Sequence, residues 1–119
     1  MAPRRPPPFV SHVLELMQPL GPVVARSMFG GWGLSLDGLT FALIAGEELY
    51  LKTDAQNRPA YEALGLPAFA PYEDQPERRM NYHRPPADAL EDADSLMQWV
   101  RPAFEVALRA PRKVPKKQV

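Results

Sequence analysis

The sequence predicts an α+β domain of two layers, an antiparallel sheet with helices on one face. Three observations predict it. Apolar residues recur at helical spacing near both ends of the chain. Short alternating runs joined by glycine-containing turns occupy the middle. Each of these segments has one apolar side, and a sheet covered on one face by helices buries all of them at once. A chain of 119 residues fits a single core of this kind. With 45 % apolar and 24 % charged residues, it has the composition of an ordinary globular domain.

The elements follow in order. Pro8 can open a helix, because its missing amide would find no partner there anyway. Val10, Val13, Leu14, Met17 and Leu20 then mark one helical face, closed by Pro19 and Gly21. The stretch PVVARS (22–27) suits a first strand and equally a helical turn. GWGLSL, Asp37-Gly38 and LTFALIA form the strongest hairpin signal in the chain. In the second of these strands Leu39, Phe41 and Leu43 alternate against Thr40, Ala42 and Ile44. Gly46 begins another reversal into EELYLK, a third or fourth strand.

Asp54 is placed to cap a second helix, although Pro59 moves its start towards Asn57 or Arg58 unless the proline sits in the first turn. Tyr61, Leu64 and Leu66 offer its core face, and Gly65 a left-handed stop. AFAPYED reads as a short edge strand, since Pro71 excludes a central ladder position. RRMNYHR reads as another strand, ended by Pro85 and Pro86. A terminal helix in two pieces follows, PADALED and DSLMQWVRPAFEVALR. Leu96, Trp99, Val100, Ala103, Phe104 and Leu108 face the core, and Pro102 is expected to bend the second piece or force a local irregularity. Residues 1–8 are read as a disordered arm, 9–110 as the domain and 111–119 as a flexible basic tail.

The net charge of zero conceals an arrangement. All fourteen acids lie between residues 6 and 108 with only seven bases, so that span carries minus seven and the two ends plus seven. An acidic body is a poor match for a domain that grips nucleic acid with a whole face. The tail, with Lys113, Lys116 and Lys117, can still touch phosphate without base preference. No cysteine is present, which excludes disulfides and thiolate metal sites. No apolar run approaches the ~20 residues a membrane span needs, so no membrane partner is expected. Pro6 to Pro8 stand where a signal peptide would carry its apolar region, and a cytoplasmic location is the expectation.

The glycine cluster RSMFGGWG invites a phosphate-cradle reading, which requires a strand, a loop and a helix N-terminus. Here alternation and a hairpin follow instead, and neither GxxxxGK[ST] nor GxGxxG occurs. Glycine then serves close approach and unusual backbone angles. Arg26 lies two residues before Met28, on the same side of an extended chain. That makes it the first candidate for a site, as an anion contact or an ion-pair member, beside the commoner outcome of a stem packed along the sheet. His12 and His83 are too few for a zinc centre, and no nucleophile elbow is legible. Neither a cofactor nor a metal is expected. Arg78, Arg79 and Arg84 around Tyr82 can contact phosphate or a stacked base, or can pair with Glu73, Asp74 and Glu77.

The stretch RSMFGGWGLSLDGLTFALIAGEELYLKTDAQNRPAYEALG, followed by FAPY, RRMNYHRPPADALED and LMQWVRPAFEVAL, resembles the N-terminal domain of the TfoX/Sxy competence-regulator family. The resemblance covers roughly residues 9–110. It implies a fold of order α-β-β-β-α-β-β-α, similar to secretion chaperones, and a link to bacterial transcriptional control of competence. Longer regulators carry a further C-terminal domain with no counterpart in the short tail, so a stand-alone copy is expected. Arg26, Met28, Phe29, Gly30, Gly31 and Gly33 carry over as motif positions, with Trp32 between them, and without catalytic roles. The reading that results is a non-enzymatic regulatory or protein-interaction module, with a protein partner or homodimer. Direct nucleic-acid binding ranks second, and an unrecognised small-ligand site or enzyme third.

Overall fold

The computed structural model describes residues 6–28, 30–69 and 81–110. Helix α1 spans Pro8–Leu16 and strand β1 Val24–Met28. Strands β2 (Gly31–Leu36), β3 (Leu39–Ala45) and β4 (Glu48–Lys52) follow, then helix α2 (Arg58–Ala63), strand β5 (Tyr82–His83) and helix α3 (Ala93–Arg109). The strands form one antiparallel sheet of order β1-β2-β3-β4-β5, with the helices packed on one face.

PVVARS resolves as a strand, so the meander has four strands before α2, one of the two counts the residue pattern left open and one more than the resemblance implied. The pair expected after α2 reduces, among the described residues, to β5 and a single bridge between Ala68 and His83. Residues 70–80, with most of the predicted edge strand, lie outside the described residues. Two-residue turns join β2 to β3 and β3 to β4. Asp37 and Gly38, at φ 53° and 80°, take the paired left-handed conformation that matches the twist of the strands they join.

Between Leu34 and Ser35 the β2–β3 register slips by one residue, and Phe41 is the extra residue on β3. The slip overturns the simple alternation expected there. Directly opposed residues share a face, so the core side carries Trp32, Leu34 and Leu36 against Ile44, Ala42 and Leu39, then Leu49 and Leu51. Phe41 joins them and meets Phe104 of α3 edge-on, with ring centroids 5.8 Å apart. Leu43 is turned to the other face.

Helix α1 buries Val10 and Val13, with Met17 just beyond its end. In α3 the buried line runs Leu96, Val100, Ala103 and Ala107, while Leu108 is exposed, one position off the predicted stripe. Pro102 sits within α3 without ending it; the carbonyl it leaves unbonded belongs to Gln98, on the exposed side. Asp92 caps α3 by accepting from the Ser95 amide at 2.7 Å. Asp54 does not cap α2. That helix begins at Arg58 with Pro59 in its first turn, Tyr61 is buried, and Leu64 is exposed, contrary to its expected core place.

Candidate functional site

The two edges of the sheet are built differently. At the β1 edge the glycine cluster sets the geometry. A Cβ on Gly31 would collide with the Ile44 carbonyl oxygen, so only glycine lets β2 lie that close to β3. A Cβ on Gly33 would stand 2.7 Å from the sulfur of Met28, whose side chain occupies the notch that the glycine leaves. Trp32, between them, faces the core and is buried.

The register then aligns Arg26, Gly33, Leu43 and Tyr50 in one row across the outer face, the side away from the helices. Phe69 extends the row, its ring 4.5 Å from that of Tyr50. Arg26 is exposed and meets no carboxylate among the described residues. Val24, beside it on the same face, is 51 % exposed. Strand β1 pairs with β2 on one side, and no described strand lies on the other.

The β5 edge is closed. The Phe69 amide donates to the Tyr82 carbonyl at 2.7 Å and the Arg84 amide to Pro67 at 3.3 Å. On the helix side, His83 is buried with its Nδ1 3.0 Å from the Thr53 hydroxyl. The Tyr61 ring packs on it at 5.2 Å and on Trp99 at 4.9 Å. Burial pushes the Tyr61 phenol up, and its buried hydroxyl has no hydrogen-bond partner among the described residues.

Behind this cluster the turn after β4 is tied to the end of α3. Arg109 donates twice to Asp54, from Nε at 2.7 Å and Nη2 at 2.9 Å. The Arg109 hydrogen bond is the main reason that the Asp54 carboxyl falls to about 2. Asp54 also accepts from the Gln56 amide, while Asn57 donates to the Lys52 carbonyl. An open groove of about 440 Å³, lined by Lys52, Gln56, Asn81 and Arg109 among others, lies over this turn.

Of the residues singled out from sequence, Arg26, Met28, Gly33, Tyr82 and Arg84 share the outer face. They do not converge: β1 and β5 are four strand spacings apart, roughly 19 Å. Tyr82 is buried, with the Lys52 ammonium 5.4 Å from its ring centre, and Arg84 pairs with Glu48 at 3.2 Å. Phe29, Arg78, Arg79, Lys113, Lys116 and Lys117 lie outside the described residues. Among the described residues no three His, Cys, Asp or Glu side chains gather as a metal site, and no helix is long and apolar enough to cross a membrane. Sequence reasoning missed the exposure of Val24 and the Asp54–Arg109 clamp. Nothing local signals a contact between residues 55 positions apart.

The chain matches the model of the TfoX N-terminal domain family over residues 15–107. No curated protein matches the chain.

Proposed function

Because the chain belongs to the TfoX N-terminal domain family, we propose that it is a cytoplasmic, non-enzymatic interaction module, linked to competence-type transcriptional regulation, that acts through the β1 edge. The observation that carries this reading is the exposed outer side of β1, Val24 and Arg26, on an edge strand that pairs with β2 alone among the described strands, while the opposite end of the sheet is tied down. Exposed Val24 and Arg26 are side chains that a partner surface can cover. Arg26 and Met28 stand on the outer face of the strand, with the Met28 side chain seated in the notch over Gly33.

The test is site-specific photo-crosslinking in cells with the full chain. A crosslinker at Val24 is expected to give discrete protein adducts, and one at the exposed Arg101 of α3 is not. Identical adduct patterns at the two positions, or none from Val24, overturn the assignment of the edge. So does nucleic-acid affinity that falls steeply with salt and disappears on removal of residues 111–119, since binding then resides in the tail.

A further inference from the structure

We propose that the outer face of the sheet, from Arg26 on β1 to Lys52 on β4, docks an amphipathic helix of a partner protein whose apolar stripe is flanked by carboxylates. This rests on the reading of the chain as an interaction module and names the partner's chemistry.

The two faces of the sheet differ in how far their apolar side chains are covered. On the helix side Leu34, Ile44, Leu49 and Leu51 are buried. On the outer side Met28, Leu43, Tyr50 and Phe69 are only half-buried, and Val24 is exposed. The register sets Leu43 beside Tyr50, and the Phe69 ring packs on Tyr50. Towards β1 the Met28 side chain, seated over Gly33, continues the same strip, because Gly33 pairs with Leu43. A partly exposed apolar strip with polar side chains at its rim marks a surface that another protein covers. A helix laid on a sheet is the packing this sheet already uses on its other side.

Charge selects the partner. Among the described residues the charged side chains on the strands of this face are Arg26, Glu48 and Lys52, with Arg84 just past β5. Glu48 and Arg84 pair at 3.2 Å. Arg26 and Lys52 meet no carboxylate among the described residues, and the Lys52 ammonium rests 5.4 Å from the Tyr82 ring centre. Two uncompensated cations therefore stand towards opposite ends of the strip, on strands three spacings apart, roughly 14 Å. They run against the prevailing charge, since residues 6–108 carry minus seven. A second copy presenting this face brings two cations against two, which opposes association. Carboxylates on either side of an apolar stripe neutralise both, so the same two residues admit an acidic partner and reject a homodimer through this face.

The probes are two peptides, AELLEALEELLEALA and its neutral counterpart AQLLQALQQLLQALA, each about 22 Å long as a helix and so able to cross the strip. They are titrated into the isotope-labelled full chain with amide shifts as readout. The acidic peptide is expected to shift Arg26, Leu43 and Tyr50 and to bind roughly fivefold more tightly, in line with two exposed ion pairs. Replacing both cations, Arg26→Gln with Lys52→Gln, is expected to remove that preference while the apolar contact remains. Leu43→Asp is expected to weaken both peptides about tenfold or more by placing a charge in the strip. Equal affinities of the two peptides for the wild-type chain overturn the acidic partner. No shift at Leu43 and Tyr50 with either peptide overturns the docking face, whereas the reading of β1 falls separately, on the Val24 crosslink. Shifts at Leu43 and Tyr50 produced by a single-stranded oligothymidylate and by neither peptide assign the face to nucleic acid and overturn the proposal. A concentration-dependent dimer that shifts the same residues assigns the face to a second copy and also overturns it.

Discussion

The two edges of this sheet solve the same problem in opposite ways. At β5 the strand is two residues long, its outer side is bridged at Ala68, and its helix side is packed by His83, Thr53, Tyr61 and Trp99. At β1 the strand is five residues long, exposed, and bonded on one side only among the described strands. A strand edge that is covered contributes stability and is inaccessible to other chains. One that is left open contributes less and is available. The difference teaches that a packed edge and an exposed one sit at opposite ends of the same sheet, so substitutions can separate stability from the recognition proposed for β1.

The largest expected effect breaks the closed edge. Tyr61→Ala removes a ring that packs on both His83 and Trp99, and is expected to cost about 3–5 kcal/mol in urea unfolding. Tyr61→Phe sharpens the point. It removes only a hydroxyl with no partner among the described residues, and is expected to be neutral or stabilising, because an unsatisfied buried polar group costs about 1–3 kcal/mol.

Next in size is the glycine ribbon. Gly31→Ala drives a methyl into the backbone oxygen of Ile44, and an overpacked site of that kind costs about 1–3 kcal/mol. Gly33→Ala meets only the mobile end of Met28 and is expected to fall at or below the lower end of that range, with the loss largely recovered in a double variant with Met28→Ala. Equal costs for the two glycine substitutions would refute the distinction between a backbone and a side-chain obstacle.

A smaller effect is read with pH. The folded Asp54 carboxyl lies at about 2 against an ordinary 3.8, chiefly because Arg109 hydrogen-bonds to it. Its contribution is complete above the ordinary value and disappears as pH falls from about 4 through about 2. Wild type is therefore expected to exceed Asp54→Asn in unfolding midpoint at neutral pH, with the two curves converging in acid. Tyr61 acts with the opposite sign. Burial raises its folded value, so stability present at neutral pH declines as pH rises past about 10, where the unfolded phenol ionises. Smallest of all is Val24→Lys, expected to move the midpoint by less than about 0.5 kcal/mol, as an exposed substitution does.

The hairpins were legible in the sequence because their causes are local. Asp37-Gly38 needs two left-handed residues, and those residue types tolerate that conformation wherever they occur. The start of α1 at Pro8 follows from local chemistry in the same way, whereas the Asp92 cap of α3 was not read from the sequence. The candidate site was legible in part. That Gly31 and Gly33 serve close approach rather than a phosphate cradle followed from the absence of a helix after them. What their missing side chains admit, a carbonyl in one case and Met28 in the other, depends on a neighbouring strand and on a residue across the turn.

Local pattern by itself determined the two-layer class, the antiparallel meander and which helices have apolar faces, since each depends on residues a few positions apart. Only the tertiary structure decided that a one-residue slip turns Phe41 to the core and Leu43 outward. It also joined Arg109 to Asp54, separated Arg26 from Arg84 by the width of the sheet, and gave β1, among the described strands, a neighbour on one side only. Those outcomes depend on which strands become neighbours and on how a bulge resets the alternation, and both are properties of the assembled sheet.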